Sequence, residues 1–280
     1  MSATAILFPG QGSLTPEAAE RARKVCPVLV QRARTLLGAD PFEAAGRSTE
    51  FAQPAIFLAS MAGWMAYPEG LVGACAMAGH SLGELSALAA AGALDVNDAL
   101  NLVVLRGRLM ASAVHRAPPA GMVALLGVDS GVASALAQRN GVVVANDNAP
   151  GQWILSGSRS GIEGVVLQAR SAGARALELD VVGAFHSPDM APAEEPFRRA
   201  LEAVPLSPPV VPVISGYTAQ PFSSIRMELA RAVVSPVRWR ETMNALVGVG
   251  ASRFVDIGPG RVLERLVKRN LAAQDHVAAA

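Results

Sequence analysis

Along the chain, short fully apolar runs alternate with longer stretches of helical period. Ala5-Ile6-Leu7-Phe8 is a short apolar run closed by Pro9-Gly10-Gln11-Gly12-Ser13, the pattern of a buried strand that ends in a glycine-rich turn. Residues 16–37 read as helix, and Ala55 to Met65 as a second, apolar helix. Val72 to Ala78 is a short apolar run that leads into Gly79-His80-Ser81, and a helix follows to about Ala91. Another helix spans about Val96 to Ala113 with Asp95 as its N-cap. His115 to Ala120 carries Pro118-Pro119 and reads as a linker.

Beyond that linker the pattern changes. Met122 to Val128 reads as strand, Ser130 to Gln138 as helix, Val142 to Asn146 and Trp153 to Ser156 as strands. Ile162 to Ala172 reads as helix and Ala174 to Leu179 as strand, continuing toward Val182. The order β-α-β-β-α-β is that of the ferredoxin-like unit. It predicts an insert at 117–182 inside a larger α/β domain made of 1–116 and 183–280. After the insert, Val210 to Ser215 and Phe254 to Ile257 read as strands with helices around them.

Composition narrows the function classes. The chain has 280 residues, 51% of them hydrophobic, so a sizeable core is within reach. A net charge of +1 with no basic or acidic run points away from nucleic acid and from anionic membranes. The mean hydropathy of +0.33 comes largely from alanine and valine, with no 18-residue apolar run, so no membrane span is expected. The first residues lack the basic head and cleavage site of a signal peptide, so a cytoplasmic location is expected. Cys26 and Cys75 fit no metal or redox spacing and read as reduced thiols in packing; no metal site and no cofactor are expected.

The chemistry centres on Gly79-His80-Ser81-Leu82-Gly83, which fits the G-x-S-x-G nucleophile elbow. A sharp strand-to-helix turn needs small residues two before and two after the serine. It lifts the Ser81 hydroxyl off the sheet, and the Leu82 amide points from the helix N-terminus at the place where negative charge develops. A nucleophilic serine needs a base, and the chain has four histidines. His80 is the neighbour of Ser81, but adjacent side chains on a tight turn diverge, so bracing the turn suits it better. His115 sits in the linker and His276 in a charged, alanine-rich tail. His186, in Gly183-Ala184-Phe185-His186-Ser187-Pro188 where the insert returns to the larger domain, is the best base and would titrate near the ordinary imidazole value of about 6.5. Arg106 and Arg108 lie within an apolar helix. Arg106 reads either as a solvated side chain or as a buried guanidinium waiting for a carboxylate.

Six motifs occur in order: Phe8-Pro9-Gly10-Gln11-Gly12-Ser13, Gly79-His80-Ser81-Leu82-Gly83-Glu84, Arg106-Gly107-Arg108, Gly183-Ala184-Phe185-His186-Ser187, Pro236-Val237-Arg238-Trp239 and Gly258-Pro259-Gly260. With the ferredoxin-like insert between Arg106 and His186, the chain from Phe8 to about Arg269 resembles the malonyl-CoA:acyl carrier protein transacylase family, which includes the acyltransferase domains of polyketide synthases. The resemblance implies an α/β-hydrolase-like large subdomain with a parallel sheet core and a ferredoxin-like (βαββαβ) small subdomain. It implies Ser81 as nucleophile, His186 as base, and the backbone amides of Gln11 and Leu82 as oxyanion hole. Arg106 would bind the malonyl carboxylate, and the Ala232 carbonyl would orient His186. Phe185 would narrow the pocket against an α-methyl group, since an Ala-Phe-His pattern accompanies malonyl in polyketide acyltransferases. The implied partners are malonyl-CoA and a phosphopantetheinylated acyl carrier protein, the pathway fatty acid or polyketide biosynthesis. Three positions depart from the family pattern: Ala232 stands for a frequent Gln, Ser235 for Asn and Leu14 for Gln. The Leu14 to Gln53 region is also shortened. Other readings are the transferase subunit of malonate decarboxylase, an acyl-thioester hydrolase on the same fold, and a non-catalytic carrier-docking protein.

Overall fold

In a computed structural model, which describes residues 3–181 and 183–278, two buried strands set the frame of the site. β1 (Thr4–Phe8) is buried along its whole length, and it pairs in parallel with the strand that feeds the elbow. Between them run four helices: α1 (Pro16–Val25), α2 (Pro27–Leu37), α3 (Pro41–Ala44) and α4 (Thr49–Met65). The expected single helix over 16–37 is two. Cys26, at φ −131 and ψ 57, leaves the helical region because Pro27 follows it and crowds its backbone. Conversely, α4 starts six residues before the expected Ala55. Ser48 caps it, its side chain accepting from Glu50 N at 3.1 Å.

β2 (Ala74–Gly79) then enters the elbow, followed by α5 (Gly83–Ala90) and α6 (Val96–Arg116). Asp95 caps α6 as expected, through the amides of Asn97 and Asp98. α6 runs to Arg116, so His115 belongs to the helix and not to the linker; its Nδ1 lies 2.8 Å from the Ala111 carbonyl.

The insert comprises β3 (Ala120–Leu126), α7 (Ser130–Arg139), β4 (Val143–Ala149), β5 (Gln152–Ser158), α8 (Arg159–Ala169) and β6 (Arg175–Glu178). Its four strands pair antiparallel in the order β4-β5-β3-β6, the ferredoxin-like arrangement read from the sequence. β6 stops at Glu178, so Leu179 lies past its end, and Val182 lies outside the described residues.

The chain returns through α9 (Ala191–Glu202), β7 (Val213–Ile214), α10 (Ile225–Ala232), α11 (Trp239–Gly248), β8 (Arg253–Asp256) and α12 (Val262–Ala278). β7 keeps only two of the expected 210–215 positions. The large sheet is parallel, in the order β7-β2-β1-β8, with the elbow strand central. Central parallel strands carry their sites at their carboxyl ends; the Pro9-to-Ser13 turn and the elbow leave from adjacent ends here. Two apolar clusters flank the sheet, one around Phe8, Phe57, Leu85 and Phe197 and the other around Leu7, Ile214 and Trp239.

β4 of the small sheet is tied to the segment that leads into α11. Val237 bridges Asn146 in parallel, with Asp147 N to Val237 O at 2.9 Å and Val237 N to Ala145 O at 2.8 Å. Arg240 donates to both Asp147 oxygens, Nε to Oδ1 at 3.0 Å and Nη2 to Oδ2 at 2.7 Å, and its guanidinium lies over the Trp153 ring. Among the described residues no helix is long and apolar enough to cross a membrane.

Candidate active site

The elbow is built by steric necessity. A Cβ on Gly79 would lie 1.9 Å from the Gly83 carbonyl carbon, and a Cβ on Gly83 would lie 2.0 Å from the Phe8 carbonyl oxygen. Only glycine fits at either place. The His80 amide donates to Phe8 O at 2.9 Å, which pins the turn against the end of β1. Ser81 itself has φ +54, in the left-handed region that non-glycine residues seldom occupy. The packing of both glycines imposes that strain, and it aims the hydroxyl away from the sheet.

A cleft of about 730 Å³ opens over Ser81, with Gln11, Leu82, Arg106, Phe185 and His186 in its wall. His186 is buried and also has a positive φ, +55. Its Nε2 lies 2.7 Å from Ser81 Oγ. Its Nδ1 faces two carbonyl oxygens, Ala232 at 2.9 Å and Ser235 at 3.1 Å. Carbonyls only accept, so Nδ1 carries the proton and the lone pair of Nε2 faces the serine hydroxyl. The departure at Ala232 therefore leaves this contact intact, because it is made by the main chain.

Of the two sequence readings of Arg106, the structure gives the buried one: the residue is 5% exposed. Its Nη2 donates to Ser81 Oγ at 3.1 Å and its Nη1 to Gln53 Oε1 at 2.7 Å. Arg108, two residues on and on another face of α6, is on the surface with Glu50. Burial lowers the Arg106 pKa to about 10, with Glu84 working in the opposite direction, so the guanidinium keeps its charge at neutral pH.

His186 does not keep an ordinary imidazole pKa: burial, then the nearby Arg106 charge, then His80, push it down to about 3. A buried base beside a fixed cation resists protonation on both counts. His80 braces the turn, as its place beside Ser81 suggested. Its Nε2 lies 2.9 Å from Asn148 Oδ1 on β4, and its ring packs against Trp239 at 5.3 Å. The side chain of His276 lies outside those described.

Three residues of this site escaped the sequence reading. Gln53 sits in the first turn and a half of α4, directly before Pro54 and the apolar run that starts at Ala55. Its amide nitrogen is held by Thr49 Oγ1 at 2.9 Å, which leaves its carbonyl oxygen aimed at Arg106. An amide side chain at the edge of a long apolar run was the available signal. Glu84, directly after the last glycine of the elbow, is 2% exposed, and burial raises its pKa to about 7. Asn148 reaches the elbow only because the insert folds back, so local sequence held no sign of it.

Residues 24–280 match the acyl transferase domain family. The malonyl CoA-acyl carrier protein transacylase of Bacillus subtilis is 38% identical over 96% of this chain and 90% of its own length. The crystal structure of the Burkholderia pseudomallei transacylase superposes with a TM-score of 0.88 at 30% identity, covering 97% of this chain and 99% of that one. A malonyl-transacylase solved in complex with a type II polyketide synthase acyl-carrier protein gives a TM-score of 0.87 at 35% identity, covering 97% and 94%. With the elbow, the inserted sheet and these similarities in agreement, the chain belongs to the malonyl CoA-acyl carrier protein transacylase family.

Proposed function

We propose that the chain moves a malonyl group from malonyl-CoA to the phosphopantetheine thiol of an acyl carrier protein, in fatty acid or polyketide biosynthesis, through a malonyl ester on Ser81. One observation carries the reading: Ser81 Oγ has a base at 2.7 Å and a buried cation at 3.1 Å. In malonyl a single methylene separates the reacting carbonyl from the free carboxylate. A cation for that carboxylate must therefore stand close to the nucleophile, where Arg106 stands.

Ser81 Oγ attacks the thioester carbonyl while its proton passes to His186 Nε2. The carbonyl oxygen becomes an oxyanion between the amides of Gln11 and Leu82. When the C–S bond breaks, His186 returns the proton to the sulfur of coenzyme A, and malonyl remains as an ester on Ser81. The carrier thiol then gives its proton to His186 and attacks the ester carbonyl. The C–O bond breaks, and Ser81 regains the proton. Throughout, Arg106 holds the malonyl carboxylate, and its release from Ser81 Oγ frees a lone pair for attack. Gln53 keeps the other nitrogen of Arg106 in place. Phe185 walls the cleft against an α-substituent. The unit at 117–182 forms a separate subdomain over the cleft, between 1–116 and 183–280, and the protein works in the cytoplasm.

The test is delivery of malonyl to a phosphopantetheinylated carrier, followed across pH. Malonyl-carrier should be the product; free malonate in its place would mean a hydrolase. His186 acts in its neutral form, so the rate falls as pH drops through its pKa. With that pKa pushed down to about 3 in the free enzyme, kcat/KM should stay flat well below the ordinary histidine value. Bound malonyl offsets the Arg106 charge, so the acid limb of kcat should lie at higher pH than that of kcat/KM. An acid limb of kcat/KM near 6.5 would contradict the lowered pKa of His186.

A further inference from the structure

The two carbonyls that aim His186 lie at the end of α10 (Ala232) and in the turn after it (Ser235). Neither belongs to the nucleophile helix, so something must set their position relative to Ser81. The path runs through the loop 215–224, which follows β7. Gly216 uses both of its backbone groups in this path. Its N–H donates to Glu84 Oε1 at 2.7 Å, and its carbonyl accepts from Arg238 N at 2.8 Å, three residues beyond Ser235. The Arg238 side chain returns to the same loop, with Nη1 to Thr218 O at 3.0 Å.

A second buried carboxylate ties the other end of the loop to α10. Glu228 accepts from Ser223 N and Ser224 N, both at 2.9 Å, and from Thr218 Oγ1 at 3.1 Å. The loop has little slack, because Ala219 is held at φ +57. Glu84 is thus the direct side-chain tie between α5, which begins two residues after Ser81, and the loop that carries α10 and Arg238. Around its carboxyl stand the Arg106 cation, the Glu228 carboxylate and the Ser215 hydroxyl. Among the described residues no cation forms an ion pair with Glu84, and a carboxyl group that is 2% exposed without one is costly to keep.

We propose that Glu84 is a positioning residue for the base: it fixes the 215–224 loop against the nucleophile helix, and the loop sets the Ala232 and Ser235 carbonyls that aim His186 at Ser81. The inference rests on His186 being the base. It accounts for a carboxylate buried where the acyl transfer itself has no use for one.

The test is a double-mutant cycle on single-turnover acylation by saturating malonyl-CoA, using Glu84→Leu, Glu84→Gln and His186→Ala in the full chain. Glu84→Leu fills the space and removes the acceptor; it should slow acylation about tenfold or more. Glu84→Gln keeps a carbonyl oxygen for Gly216 N–H and sets its amide toward Ser215 Oγ, so it should stay within about threefold of wild type. In the His186→Ala background, Glu84→Leu should cost less than about twofold, because the group it positions is gone. Equal slowing in both backgrounds, or no slowing in either, overturns the positioning role. If His186→Ala acylates as fast as wild type, it is the base assignment that has failed. Should Glu84→Leu not fold, Glu84→Ala takes its place in the same cycle, judged by the same non-additivity.

Discussion

Incubated with malonyl-CoA and no carrier, the wild-type chain is expected to gain one malonyl mass on the peptide that holds Ser81, and Ser81→Ala is expected to gain none. The expectation follows from the elbow. Its glycines leave no room for another residue, and they hold Ser81 at φ +54 with His186 Nε2 at 2.7 Å. No other hydroxyl in the cleft has that partner among the described residues. Loss of the nucleophile from a serine–histidine pair costs on the order of 10⁶ in kcat, so the effect should be all or nothing on the time scale of a mass measurement. Alanine removes one oxygen at a partly exposed position, so the fold should survive. A malonyl adduct elsewhere in wild type, or one that persists in Ser81→Ala, would remove Ser81 from the mechanism.

Arg106→Ala should shift the malonyl-to-acetyl ratio of kcat/KM by roughly 2–5 kcal/mol, the cost of leaving a buried charged group without its partner. Acetyl has no carboxylate and loses nothing. The ratio is the informative quantity because the substitution has a second effect. It strands Gln53 Oε1, which now accepts from Arg106 at 2.7 Å in a buried setting, and that should cost about 1–3 kcal/mol of stability. Both substrates meet the same weakened enzyme, so this second effect cancels in the ratio. An unchanged ratio would make Arg106 a scaffold residue and return weight to a thioester hydrolase.

Much of the site was legible in the sequence, for a reason particular to its parts. The elbow is a local device: five consecutive residues, a strand before and a helix after, dictated by backbone crowding. The βαββαβ insert was legible because its short apolar runs are set apart by turn residues such as Pro150-Gly151. Arg106 was not decided by sequence, since its burial depends on α4 packing against α6 and on Gln53, 53 positions away. The His186 pKa was misjudged for a related reason. The burial that depresses it comes from elements far apart in the chain, and the Arg106 charge adds to it. Helix ends went astray where one residue outweighed the period, as at Cys26-Pro27. Glu84 and Asn148 act through contacts that only the folded chain makes, with Gly216 and His80.

The central claim is that Ser81 holds malonyl until a carrier thiol arrives, and coenzyme A release tests it most directly. Without carrier, malonyl-CoA should give a burst of about one coenzyme A per chain and then nearly stop, as a covalent acyl-enzyme requires. Adding phosphopantetheinylated acyl carrier protein should restart release at a rate that rises with carrier concentration. Steady release without carrier, as fast as with it, would contradict the account.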